Sequence, residues 1–202
     1  MDSGKGTYIA FDELCQKDSA QSDFRFCATI QRWAAEQNSF DVRYVDRQNK
    51  IYAVRKSSLR AALATRIREH LAASRNILVI LSEETKKSGS LLSFEIEEAV
   101  DTYNLPLVLA YADYKAVADP SALSDYWPNA LRQRISSGAA RAIHIPFNKH
   151  AILDAACQFT DTNRPLTGLN HYTEYAHRKF KCIPSEMPFG NCMRQKRTVA
   201  GD

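Results

Sequence analysis

A chain of 202 residues, 45% hydrophobic and 25% charged with only 7 Gly and 7 Pro, has the length and composition of one ordinary domain that folds in water. Those figures exclude a two-enzyme fusion, a collagen-like repeat and a wholly disordered chain. The formal charge of +4 is mild, and because Lys and Arg are interspersed with acids it does not call for a nucleic-acid partner.

Residues 7–12 form a β-rich run closing on an acid, which predicts a first strand opening into a polar loop at Asp12. From Asp23 to Gln37, Phe26, Ile30, Trp33 and Ala34 recur at helical spacing behind a Ser22-Asp23 cap, predicting a first helix. Residues 41–46 suit a short edge strand, and the polar stretch from Arg47 to Ser58 is long for a turn. Leu59, Leu63, Ile67 and Leu71 fall four apart and make one continuous stripe, the clearest helix in the chain. Asn76 to Leu81 is an apolar, branched run suited to a central strand covered on both faces.

A helix from about Leu91 to Tyr103 is predicted to turn Leu92, Ile96, Ala99, Val100 and Tyr103 inward, with Pro106 beyond its end. Leu107 to Tyr111 is a fourth strand. Residues 112–140 read as a long connection with a helical turn near 129–135. A fifth strand over 142–146 is expected near an edge, because Pro146 cannot donate to a ladder, and a last helix covers 151–159. Residues 161–202 lose periodicity and read as a loosely packed C-terminal extension to a domain of residues 1–160. Such alternation predicts an α/β fold, a parallel sheet with helices on both faces, and five strands of this kind are most often ordered 2-1-3-4-5. In that order the crevice opens at the carboxyl ends of strands one and three, which nominates the loop after Phe11-Asp12 and the segment from Ser82 into the helix near Leu91.

That helix carries Glu95, Glu97 and Glu98. Taking about 100° per residue from the apolar stripe, Glu95 lies roughly 90° away on one flank, Glu97 roughly 110° on the other, and Glu98 roughly 150° away. Glu95 is also nearest the helix start. A carboxylate half in and half out of an apolar wall can be held in place and still reach a ligand; a solvated helix face is the other reading of the same spacing.

The segment Leu91-Leu92-Ser93-Phe94-Glu95-Ile96-Glu97-Glu98-Ala99 resembles the Trp-Val-x-x-Glu-Ile-x-x-Ala segment of TIR domains, with matches at Glu95, Ile96 and Ala99. More closely, the chain resembles the TIR-like subunit of Thoeris anti-phage defence systems. Tyr8 to Asp12 is similar to its first strand, Asp23-Phe24-Arg25 to its first helix start, and Val45-Asp46 to the end of its second strand. The resemblance implies a flavodoxin-like TIR fold. It also implies NAD+ as substrate rather than cofactor, cleavage of the bond between nicotinamide and ribose, and a cyclic or conjugated ADP-ribose product that reaches a downstream effector.

Glu95 stands at the position of the family's catalytic glutamate. Its role is sensible, because losing nicotinamide leaves an oxocarbenium-like ribose that a carboxylate can stabilise, and the leaving group is already cationic, so no general acid is needed. The family's tryptophan is Leu91 here, which removes an aromatic wall. Phe94, roughly 170° from the stripe, is expected to be exposed. Phe11 and Asp12 would line the same crevice, with Asp12 either a cap or a partner of a ribose hydroxyl. Arg25 either pairs with a diphosphate or makes a surface ion pair. Asp46 and the loop to Ser58 would form the flap that makes self-assembly contacts in TIR domains, giving a homo-oligomer, and Ser82 serves the turn after strand three.

Other signatures are weak. No apolar stretch nears the roughly 18 residues of a membrane span, the start lacks the apolar run of a secretory signal, and the five scattered cysteines read as free thiols, so a cytoplasmic protein is expected. No phosphate-binding glycine loop follows a strand. His171, His177, Cys182 and Cys192 lack the close pairs of a zinc site. Two rivals remain to the NAD+-cleaving enzyme: a catalytically silent TIR-like assembly module, and a nucleoside deoxyribosyltransferase-like enzyme, which also sets a glutamate on a sugar.

Overall fold

The computed structural model describes residues 6–11, 24–36, 42–43, 57–83, 85 and 91–190. Strands β1 (Gly6–Ala10), β2 (Val42–Arg43), β3 (Ser74–Leu81), β4 (Leu107–Tyr111), β5 (Ala142–Pro146) and β6 (Asn170–His171) form one sheet in the order β2-β1-β3-β4-β5-β6. All five pairings are parallel. The helices are α1 (Phe24–Glu36), α2 (Ser57–Ala72), α3 (Leu91–Glu97), α4 (Asn129–Ser136), α5 (Lys149–Gln158) and α6 (Glu174–Lys179). This is the parallel α/β arrangement that the alternation predicts and the flavodoxin-like fold that the resemblance implies, with six strands where five were expected.

Period-two alternation sorts each strand between two cores. Tyr8, Ala10, Ile77, Val79, Leu81, Leu107, Leu109 and Tyr111 face α2, α3 and α4. Ile9, Phe11, Leu78, Ile80, Val108, Ala110, Ile143 and Ile145 face α1 and α5. Strand β3 is enclosed on both sides, as its unbroken apolar run requires. On α2, Leu63, Ile67 and Leu71 are buried, the stripe read from their spacing.

Asn76 interrupts the apolar face of β3 as a polar residue fully buried on the α5 side. Its Nδ2 donates to the carbonyls of Ala156 at 2.8 Å and Phe159 at 2.5 Å, which satisfies acceptors that the end of α5 leaves open. Asn76→Ala is expected to cost about 2 kcal/mol in urea unfolding, because it strands one buried and one part-buried carbonyl and opens a small cavity.

Three expectations are corrected. Helix α3 ends at Glu97 and continues as a π-turn over Glu98–Thr102, where Tyr103 N–H bonds to Glu98 O at 3.1 Å; Asn104, at φ 51°, then turns the chain out before Pro106. Strand β5 is not at the edge: β6 pairs with Ile143 and His144, and Pro146 lies past that pairing, so its missing donor costs the ladder nothing there. Finally, the extension expected to be loose is packed as far as it is described. It supplies β6 and α6 and buries His177, Phe180, Cys182 and Ile183.

Candidate functional site

The three carboxylates of the α3 segment are sorted by what surrounds them. Glu98 accepts from Arg68 of α2 at 2.6 Å, and that bond draws its carboxyl below the usual range. Glu97 lies 3.7 Å from Arg134 of α4, whose guanidinium is chiefly engaged by Asp101. Both serve helix-to-helix ion pairs of the half-exposed kind, worth little individually. Glu95 is different. It has no exposure to solvent, and the Tyr8 hydroxyl of β1 donates to its Oε1. The His70 ring of α2 lies 6.4 Å from the Tyr8 ring.

Helical spacing placed Glu95 on a half-exposed flank. The structure corrects this, since that flank is covered by β1, whose even-numbered residues point at α3. Strand parity was the signal for Tyr8: it and Phe11 must face opposite sides of the sheet. A buried carboxylate is retained only where donors hold it, and here one is an aromatic hydroxyl fixed by a central strand. Such a group can stabilise a cationic sugar without reorganising. Tyr8→Phe is expected to leave the chain folded but less stable by about 1.5–3 kcal/mol in urea unfolding, the usual loss for a hydrogen bond to a charged group.

The other nominated residues that are described have different surroundings. Phe11 is 1% exposed and packs in the α1/α5 core, the opposite face of the sheet. Arg25 is exposed at the start of α1, with its guanidinium 4.6 Å from the Phe26 ring, a cation–π contact. Ser82 is buried in a turn: its backbone N–H donates to Thr85 Oγ1 at 3.2 Å, and its carbonyl accepts from the same hydroxyl at 2.6 Å. Leu91 is half-buried against the α2/α3/α4 core. Phe94 is not the exposed aromatic expected; it packs on that core with Arg68 over its ring at 5.3 Å. Asp12, Asp46 and the flap to residue 56 lie outside the described residues.

A second polar cluster escaped sequence reasoning. Thr85 also donates to Tyr126 O at 3.1 Å, and Tyr126 OH donates to Glu83 at 2.8 Å, which ties the β3 exit to a 3-10 helix over Pro120–Tyr126. Burial, together with Tyr114 and Glu83 beside it, holds the Tyr126 phenol far above its ordinary value, so it stays protonated. The signal that could have found this helix is Asp119-Pro120, whose Asp119 Oδ1 accepts from Ser121 N–H at 3.0 Å.

Among the described residues no group of three or more His, Cys, Asp or Glu is placed to hold a metal ion. His177 is committed instead: Nδ1 donates to Thr173 O at 2.9 Å, and Nε2 accepts from Val117 N–H at 3.2 Å. No described helix is long and apolar enough to cross a membrane. The sequence model of one family, described as Thoeris protein ThsB, TIR-like domain, matches residues 8–117, just over half of the chain, which takes in β3, α3 and β4 and all but the first two residues of β1.

Proposed function

This chain belongs to the family of TIR-like domains of Thoeris protein ThsB, an anti-phage defence family, and from that premise we propose that it cleaves NAD+ between nicotinamide and ribose. The observation that supports this reading is Glu95. It is the carboxylate of α3 that is wholly buried, and the Tyr8 hydroxyl holds it beside the topological switch between β1 and β3. It also stands at the position of the family's catalytic glutamate.

In the proposed reaction the C–N bond to nicotinamide breaks heterolytically, its electron pair leaves with the ring nitrogen, and neutral nicotinamide departs. The Glu95 carboxylate stabilises the positive ribose carbon until a nucleophile adds to it. A hydroxyl of the same ADP-ribose gives a cyclic product and releases one proton; water gives the linear one. The product would carry the signal to an effector in the cytoplasm, and the chain would assemble with its own copies.

One observation favours a second reading, the silent assembly module: Glu95 is wholly enclosed, so a substrate must displace what covers it. The absence of the family's tryptophan at Leu91 points the same way. Mass spectrometry of NAD+ incubated with the concentrated chain, with and without lysate from phage-infected cells, separates the readings. Nicotinamide release is the expected result, and the accompanying mass distinguishes cyclisation from hydrolysis. Deoxynucleosides offered in parallel should remain intact; their cleavage with NAD+ untouched would favour a deoxyribosyltransferase.

A further inference from the structure

A cavity of about 630 Å³ opens at the carboxyl ends of β4 and β5, away from Glu95. Its walls come from the chain after β4, from Pro146–Asn148, and from the C-terminal segment after α6. Apart from Tyr114 and Lys115, every lining residue lies beyond the stretch matched by the family. The volume is that of a small-molecule site.

The charges of this cavity are of one sign. Lys115, Arg178 and Lys181 line it and no acidic residue does. Arg178 is fully occupied, since it binds Glu174 and the carbonyls of Pro184, Ser185 and Met187 and so fastens the far wall. Among the described residues the side-chain ammonium groups of Lys115 and Lys181 make no ion pair or hydrogen bond. Two residues with uncommitted ammonium groups therefore line a cavity that has no acidic residue in its walls.

The backbone at Lys181 is a separate clue. The end of α6 is a Schellman motif, with Cys182 N–H to His177 O and Lys181 N–H to Arg178 O, both 2.9 Å. That motif puts its C′ residue in the left-handed region, where glycine is the default, yet Lys181 occupies it at φ 56°. Asn104, the other non-glycine residue of positive φ among the described residues, is of a type that tolerates the conformation. A lysine where glycine fits better is strain of the kind found at ligand sites.

Two aromatic rings complete the walls, and both are held by other rings. Tyr114 meets Tyr126 edge-on at 5.5 Å, and Phe147 meets Phe26 edge-on at 4.8 Å. A flat ligand could rest against them with little ordering cost. The one thiol, Cys182, is pushed up to about 12 by burial and is no nucleophile.

We propose that this cavity is a second ligand site that binds a nucleoside diphosphate, with Lys115 and Lys181 on the diphosphate and Tyr114 and Phe147 against the base. Calorimetric titration of the full chain with ADP, pyrophosphate and adenosine, in the absence of NAD+, tests it. ADP should bind saturably and more weakly as salt is added, pyrophosphate roughly tenfold more weakly, and adenosine not measurably. Lys115→Gln and Lys181→Gly should each weaken ADP roughly tenfold. Lys181→Gly should also leave the melting temperature unchanged or raised, an outcome that a merely structural lysine would not combine with lost binding. Glu95→Gln should bind ADP as the wild type does.

No saturable ADP binding, or binding undiminished in both lysine variants, overturns the proposal. Pyrophosphate binding as tightly as ADP removes the nucleoside from it, and loss of ADP in Glu95→Gln moves the ligand to the other crevice. NAD+ cleavage plays no part in the readout, so the two assignments can fail separately.

Discussion

Between pH 6.5 and 4 the folded state is expected to lose about 3 kcal/mol through His144 alone. This histidine is fully buried in β5, and its ring closes an ordered relay. Trp127 Nε1 donates to Tyr111 OH at 2.7 Å, Tyr111 OH donates to His144 Nδ1 at 2.8 Å, and His144 Nε2 donates to Gly168 O at 2.8 Å. The relay assigns the tautomer, because one nitrogen meets a carbonyl and the other a hydroxyl. A second proton would break the Tyr111 bond and place a charge in the core. Burial accordingly lowers the imidazole from 6.5 to about 4.

The unfolded chain therefore takes up a proton below pH 6.5 that the folded chain refuses until about pH 4. The stabilisation is complete above the first value and is lost as pH falls towards the second. His177 is lowered by burial too and adds to the same window, whereas Glu36 and Glu98, drawn below 4.5 by lysine and arginine partners, act at lower pH. Urea unfolding across this range checks it. His144→Gln, which can accept from Tyr111 and donate to Gly168 without titrating, should flatten most of the slope; an unchanged slope would contradict the assignment.

Glu95→Gln is expected to lower nicotinamide release roughly a thousandfold, about 4 kcal/mol of transition-state stabilisation. The amide keeps the shape of the carboxylate and its oxygen still accepts from Tyr8, so the geometry around α3 survives. What disappears is the negative charge opposite a ribose carbon that turns positive. Stability should move the other way: replacing a wholly buried carboxylate by a neutral group removes a desolvation cost, so the urea midpoint should stay level or rise. A fall in rate together with a fall in stability of several kcal/mol would mean that the residue is chiefly structural.

Much of the fold was legible because its elements are locally consistent. The stripe of α2 and the branched run of β3 each state their own period and burial, and alternation of such elements leaves few topologies. The family segment around Glu95 was legible as well. What was hidden depends on contacts between distant segments. No local pattern says that Tyr8 covers the flank on which helical spacing put Glu95, or that α3 loosens into a π-turn at Glu98, after which Tyr103 no longer follows a period of 3.6. The C-terminal extension shows no periodicity because its elements are only two and six residues long, and what binds them is buried polar bonding. Gly168 illustrates this. A Cβ there would stand 3.1 Å from Ala140 O, tighter than an ordinary contact, so a larger residue would have to push that carbonyl back by a few tenths of an ångström beside the His144 bond.

The most direct test of the central claim is nicotinamide released from NAD+ by the concentrated wild-type chain, beside Glu95→Gln at equal folded concentration, with infected-cell lysate added to both. Release by the wild type that vanishes in the variant is the result expected. Intact NAD+ from a folded wild type under every condition, or equal release from both proteins, would contradict it.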